Sequence, residues 1–208
     1  LPVSHPKNYA GDIASEIGFY KTIGWAIDTW VLNEERIEED VFLDDTNYTV
    51  SKEIEMLNNF LKKQDIRLYI QLFEFTDRIQ HMFWRHNVAD HPANRGRDTI
   101  RHKDVIDDMY IRMDELICRV RKELYDGDVL FVISDHGFCN FSRGVNLNAW
   151  LRENGYLTMT NATDSGEYFS GVDWSQTKAY AFGLTGIYIN QTGREAKGIV
   201  SSADTAEL

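Results

Sequence analysis

The stretch "IRLYIQLFEFTDRIQH", residues 66–81, decides how the chain is read. Residues 66–75 are rich in branched and aromatic side chains and predict a β-strand. The apolar run then stops, and Asp77 and His81 follow four residues apart. If the chain turns helical after Asp77, that step puts both side chains on one helix face. A second run, "VLFVI" at 129–133, is a continuous apolar segment of the kind covered on both faces. It runs into "SDHGF", which places Asp135 beside His136. On a regular strand these two would point apart. They converge only where strand gives way to loop, and Gly137 permits that bend.

Helical patterns surround the two runs. "TVSKEIEMLNNFLKKQ" (49–64) predicts a helix capped by Ser51, with Ile54, Leu57, Phe60 and Leu61 as one apolar stripe. "TIRHKDVIDDMYIRMDELICRVRKEL" (99–124) carries Ile106, Met109, Tyr110, Met113, Leu116, Ile117 and Val120 at helical spacing. "VNLNAWLRENG" (145–155) predicts a helix stopped by Gly155. "KAYAFGLTGIYIN" (178–190) holds one or two strands around a glycine-containing bend, and Ile13, Ile17 and Tyr20 also recur at helical spacing. Helix, strand, helix, strand is the order of a parallel sheet with helices packed on it, so the fold class is α/β. Residues 1–64 read as a partly helical leading segment and 65–208 as a sheet core that carries the acid–imidazole motifs.

In open parallel sheets, ligands bind in the crevice beyond the carboxyl ends of the strands. Two Asp/His pairs at two such ends would face a common cleft. Oxygen and nitrogen donors of this kind suit zinc, and also manganese or iron. A single Asp-x-x-x-His is a coincidence in most proteins, and "SDHG" alone reads as a turn with a capping aspartate. Two pairs, each closing a strand of buried character, weigh against coincidence.

The remaining candidates read as structural. Asp90–His91 precedes Pro92 in a polar loop, His86 and His102 lie in charged surroundings, and His5 lies near a terminus. Cys139 is expected to be a small core residue rather than a soft ligand. Phe83 and Trp84 are expected to pack a helix against the sheet rather than stack on a nucleobase. The acidic run Glu34–Asp40 reads as a solvated face.

Composition bounds the function. The 208 residues, 43% hydrophobic and 12% aromatic, suit one substantial domain or one with a small appendage. A net charge of −11 argues against nonspecific duplex binding through a basic surface. It leaves room for a phosphorylated substrate, because bound cations supply positive charge that the side chains lack. Two cysteines imply no disulfide framework and favour a reducing, cytoplasmic compartment. Glycosylation-type triplets at Asn47, Asn161 and Asn190 carry little weight against that. No apolar run approaches the ~20 residues of a membrane span. No signal peptide is visible.

Taken together, "FTDRIQHMFWRH", "SDHGF", "VNLNAWLRENGYL" and "IYINQTGREAKGIV" resemble the type I phosphodiesterase/nucleotide pyrophosphatase family of the alkaline phosphatase superfamily, over about residues 4–200. "IGFYKTIGWAIDTWVLNE" near the start is similar to bacterial members. The resemblance implies an alkaline phosphatase-like three-layer α/β/α fold with a mostly parallel central sheet, of which this chain is the C-terminal part. It implies two divalent metal ions, zinc or alternatively manganese, with Asp77 and His81 as ligands of one and Asp135 and His136 as ligands of the other. The implied chemistry is hydrolysis of a phosphodiester or nucleotide pyrophosphate: a metal-activated threonine or serine attacks phosphorus and water releases the phospho-enzyme. The substrate class is a phosphate-ester small molecule or nucleotide.

In the family, the nucleophile and another metal-binding aspartate precede the region seen here, and a further histidine ligand follows the Gly-Arg-Glu segment. No catalytic nucleophile is therefore assigned to this chain, since neither Thr76 nor Ser134 occupies that position. With two ligands per ion, these residues alone are expected to bind metal weakly and hydrolyse little. Arg194 in "GREAKG" suits either a phosphate contact or a turn beside a strand. Two other functions fit the same motifs: a phosphomonoesterase or phosphomutase of the superfamily, and a non-catalytic binding or structural domain that retains the scaffold.

Overall fold

A computed structural model describes residues 3–63, 66–161, 169–183 and 186–208. The chain divides into two compact units, Leu1–Ser142 and Arg143–Leu208.

The first unit is helical among its described residues: α1 (Tyr9–Ile17), α2 (Thr29–Asn33), α3 (Glu39–Leu61), α4 (Phe75–Phe83) and α5 (Val105–Glu123). Short 3-10 turns at Trp84–Asn87 and Pro92–Asn94 link α4 to the loop before α5. Its core gathers Ile27, Phe42 and Val50 with Phe75, Ile79 and Phe83 of α4 and Ile106 and Met109 of α5. The α5 stripe is as expected, except that Tyr110 is more than half exposed and reaches Gln80 only through its hydroxyl, which donates to Oε1 at 3.1 Å.

Helix α3 starts ten residues before the predicted 49. Phe42, Thr46 and Val50 recur every four residues on its buried face, but Thr46, Thr49 and Val50 are poor helix formers that hide the pattern. Ser51 is therefore interior rather than a cap, and its hydroxyl donates back to the Asn47 carbonyl at 2.8 Å. Glu39 and Asp40 sit in the first turn, where the helix dipole favours carboxylates.

The predicted strands at 66–75 and 129–133 form no ladder. Among the described residues the only sheet is a two-stranded antiparallel hairpin in the second unit. The α/β mixture is present, but the three-layer arrangement with a parallel sheet is not among the described elements. Composition makes a segment ready to be a strand, whereas a strand exists only when a neighbour takes its N–H and C=O groups. Residues 68–73 keep a strand's period of two: Leu68, Ile70 and Leu72 are exposed while Tyr69, Gln71 and Phe73 are half-buried. The run 129–133 departs further from expectation, for none of Val129–Ile133 is buried. Phe75, read as the end of the first strand, instead opens α4.

One carboxylate buried under this segment has a pH signature. Glu53 of α3, whose carbonyl accepts from Gln71 Nε2 at 3.0 Å, has its side chain pushed up to about 7, mainly by burial and then by the charge of Glu74. Because the folded state holds this proton more tightly than the unfolded state, stability is full below the unfolded value and falls as pH rises towards 7. At 1.36 kcal/mol per pKa unit, discounted for partial solvent access, the effect is about 2 kcal/mol. Glu53→Gln is expected to stabilise the protein by about that amount at pH 8 and by little at pH 5. Urea unfolding at the two pH values checks it, and an equal gain at both would refute it.

In the second unit α6 (Leu147–Glu153) is capped by Asn146, whose Oδ1 accepts from Ala149 N at 3.0 Å. It stops at Gly155 in the left-handed region, φ +75°. Strands β1 (Ala179–Phe182) and β2 (Gly186–Ile189) pair Tyr180 with Tyr188 and Ala181 with Ile187. Asn148 of α6 completes the free edge of β1, donating to Ala181 O at 2.9 Å and accepting from Ala181 N at 2.7 Å. Leu151, Leu157, Val172 and Ala179 form a small core beside this hairpin.

Candidate metal centre

The site is built on α4 and the loop 134–141. The buried residues Phe75, Ile79 and Phe83 fix the orientation of α4 by packing its apolar face into the core. The opposite face then presents Asp77 from the first turn and His81 one turn later. Their separation is 3.3 Å from Oδ1 to Nε2, as the four-residue spacing predicts.

The "SDHGF" loop brings the second pair to the same place. His136 Nε2 lies 3.5 Å from the same Asp77 Oδ1 and 3.6 Å from Asp135 Oδ2. The loop is fixed locally: Asp135 Oδ1 accepts from His136 N at 3.1 Å, and Ser134 Oγ donates to His136 O at 2.5 Å. With His136 Nδ1 donating to Gly137 O at 3.1 Å, Nε2 is turned towards Asp77. At the far end of the loop, His91 links Ala93 N to Phe141 O, at 3.1 and 3.0 Å. Read from sequence as a structural residue, His91 is one, and it tethers the site loop.

Phe138 is the residue that sequence reasoning passed over. Its ring centroid lies 4.9 Å from that of His81, 5.5 Å from His136 and 5.8 Å from Trp84, so one aromatic side chain packs both imidazoles. The signal was present in "SDHGF", but a phenylalanine after Gly137 has no chemical role that spacing alone reveals. Phe83 is fully buried, as expected, whereas Trp84 is half-buried against Phe138.

A cleft of about 1120 Å³ opens beside His81, His136 and Phe138. Its far wall takes in the end of the acidic run, where Glu39 and Asp40 are half-buried, while Glu34, Glu35 and Glu38 are exposed as a solvated face predicts. Arg85, only 7% exposed, donates to Glu39 Oε1 at 2.7 Å, to Asn94 Oδ1 at 3.1 Å and to Asp98 O at 3.0 Å. His102, also buried, lies 3.3 Å from Asp40 Oδ1, while Arg97 pairs with Glu35 at 2.9 Å and Arg101 pairs with Asp40. Glu35, Glu39 and Asp40 are thus paired with cations. Cys139 is exposed on the cleft wall rather than a core residue.

The donor chemistry fits a divalent transition metal. Donors about 2.0–2.1 Å from a tetrahedral zinc lie about 3.3–3.4 Å apart, close to the 3.3 Å between Asp77 and His81 and the 3.6 Å between Asp135 and His136. Asp77 is largely shielded, whereas Asp135 is fully open, with 88% of its side chain exposed. Among the described residues, no group of three or more His, Cys, Asp or Glu side chains is arranged to hold a metal ion. The geometry therefore offers donor pairs rather than a closed site. Both neighbouring hydroxyls donate to backbone carbonyls, Thr76 Oγ1 to Phe73 O at 3.4 Å and Ser134 Oγ to His136 O as above.

Arg194 belongs to the second unit. Its guanidinium pairs with Glu195 Oε1 at 2.6 Å and donates to Ile189 O at 2.6 Å, and the Glu195 carboxylate raises its pKa further. It braces the turn after β2.

The family model described as type I phosphodiesterase / nucleotide pyrophosphatase matches residues 3–206. No curated protein and no solved structure matches the chain.

Proposed function

The chain belongs to the type I phosphodiesterase / nucleotide pyrophosphatase family, which indicates hydrolase chemistry of that type, and from this premise we propose that it carries ligand pairs of a two-metal phosphodiesterase centre. The observation that supports the reading is the meeting of Asp77, His81 and His136 within 3.3–3.5 Å, although α4 and the 134–141 loop are far apart in sequence. Asp77 and His81 are assigned to one ion, Asp135 and His136 to the other. Divalent cations bound there would supply Lewis acidity to a phosphoryl centre.

What the chain's own residues contribute is orientation. Asp77 shares Oδ1 between two imidazoles, which fixes their nitrogens towards one point. The Nδ1–H of His136, anchored on Gly137 O, holds the ring so that Nε2 is the nitrogen turned to the site and would be the one to ligate a cation. Phe138 packs beside both rings and limits how far they can turn. The reading assigns the attacking hydroxyl to none of the described residues. It also takes 66–73 and 129–133 as strands of a mostly parallel sheet, which is supported by the exposed apolar side chains that both present for covering.

Metal analysis of the full-length protein, with assays on bis-p-nitrophenyl phosphate and p-nitrophenyl phosphate, tests the reading. A metal-loaded protein should cleave the diester in preference to the monoester and lose that activity to a chelator. A preference for the monoester would select the phosphomonoesterase alternative. Absence of bound metal together with chelator-insensitive hydrolysis would remove the metal-centre reading.

A further inference from the structure

The two carboxylate oxygens of Asp77 are used differently. Oδ1 faces His81 Nε2 at 3.3 Å and His136 Nε2 at 3.5 Å, while Oδ2 lies 3.2 Å from Nη1 of Arg78. We propose that Arg78 is a positioning residue for Asp77, holding Oδ2 so that Oδ1 is presented to the two imidazoles. The proposal rests on the metal-centre reading above.

Three features separate this pair from an ordinary surface ion pair, which contributes little because both side chains are mobile and solvated. First, Arg78 and Asp77 are largely shielded, at 19% and 27% side-chain exposure. Second, the guanidinium is held from other directions as well. Trp25 covers it with the ring centroid 4.4 Å from Cζ, and Glu74, one helical turn earlier, lies 3.6 Å from Nη2. Trp25 is itself 64% exposed, so packing in the core does not account for its place. A planar guanidinium stacks under an indole in a way that an ammonium does not, which favours arginine here.

Third, the Nε of Arg78 is buried with no hydrogen-bond partner among the described residues. The head group's orientation therefore depends on Asp77, Glu74 and the Trp25 ring. Neighbouring residues on a helix do not face one another, so Arg78 bends back along α4 to reach Oδ2 and leaves the Oδ1 side open. A carboxylate free to rotate would exchange its oxygens and lose the alignment with both imidazoles. Groups that orient ligands in this way are worth about 10–100-fold in metal affinity.

The test is zinc affinity of the full-length protein, measured by competition with a chromophoric chelator, with folding verified by circular dichroism. Arg78→Gln is expected to bind zinc about 10–100-fold more weakly. Arg78→Lys, which keeps the charge but not the planar fork, is expected to fall about threefold. A folded Arg78→Gln variant with affinity within twofold of the unsubstituted protein overturns the role of Arg78 and leaves the metal centre standing. Should Arg78→Gln not fold, Arg78→Lys carries the test by the same twofold criterion. If the unsubstituted protein takes up neither zinc nor manganese, the metal-centre reading fails, and this proposal with it.

Discussion

Asp77→Ala is expected to lower diester hydrolysis by the full-length protein about 1,000-fold or more, equivalent to about 4 kcal/mol of transition-state stabilisation. The size follows from the number of contacts that converge on one carboxylate. Asp77 is the residue common to His81, His136 and Arg78, at 3.3, 3.5 and 3.2 Å. On the proposed two-metal reading its removal takes a donor from one ion and the alignment from both imidazoles, and it leaves Arg78 with a weaker anchor. Folding should suffer much less. Alanine is the best helix former, and only a first-turn carboxylate worth about 0.3–1 kcal/mol is lost from α4. Metal content should fall in parallel, which distinguishes loss of a ligand from loss of a general base. Asp90→Ala provides the control, since Asp90 lies in an exposed turn before Pro92. Activity within threefold of the unsubstituted protein in Asp77→Ala would show that the site has been misassigned.

How much of this was legible beforehand divides along physical lines. The Asp77–His81 contact follows from the helical period alone, so once α4 was suspected the pairing followed. The convergence of His136 on Asp77 is a tertiary fact, and it reached the sequence reading only as two strand ends of similar chemistry. Spacing said nothing of Phe138, whose function is packing, or of Arg78, which acts through its neighbour. Glu39 is the exception in an otherwise exposed acidic run, because a carboxylate in such a run shows its partner only once the buried Arg85 is placed. Helix α5 and the β1–β2 hairpin were the most readable elements, since the pattern of each is closed by local contacts. The opposite holds for 66–75 and 129–133: side-chain composition gives strand character, but pairing is decided by backbone neighbours that composition does not encode.

The glycosylation-type triplet at Asn190 leads to the largest stability effect expected. The first residue of such a triplet would carry its sugar on Nδ2. Here that atom is fully buried and donates to three carbonyls, Trp174 O at 2.9 Å, Thr177 O at 2.8 Å and Lys197 O at 3.1 Å. Its backbone also joins Lys178 to Ile199 and Val200, so Asn190 ties the hairpin to both flanking loops. A glycan on that nitrogen and this fold exclude each other. Asn190→Asp keeps the shape and replaces the donor by an acceptor facing three acceptors. Ionised, the new carboxylate is buried and repelled; protonated, it satisfies one carbonyl of the three. The expected cost is about 3–5 kcal/mol at pH 8. Because the folded state then holds the proton more tightly than the unfolded state, the cost should shrink as pH falls towards 5. Asn190→Ala, which leaves the carbonyls unpaired without adding a charge, should cost about 1–3 kcal/mol and show no such slope. Urea unfolding followed by tryptophan fluorescence at both pH values measures the two variants. Equal, pH-independent losses in the two would mean that the amide donors of Asn190 are not what the surrounding carbonyls depend on.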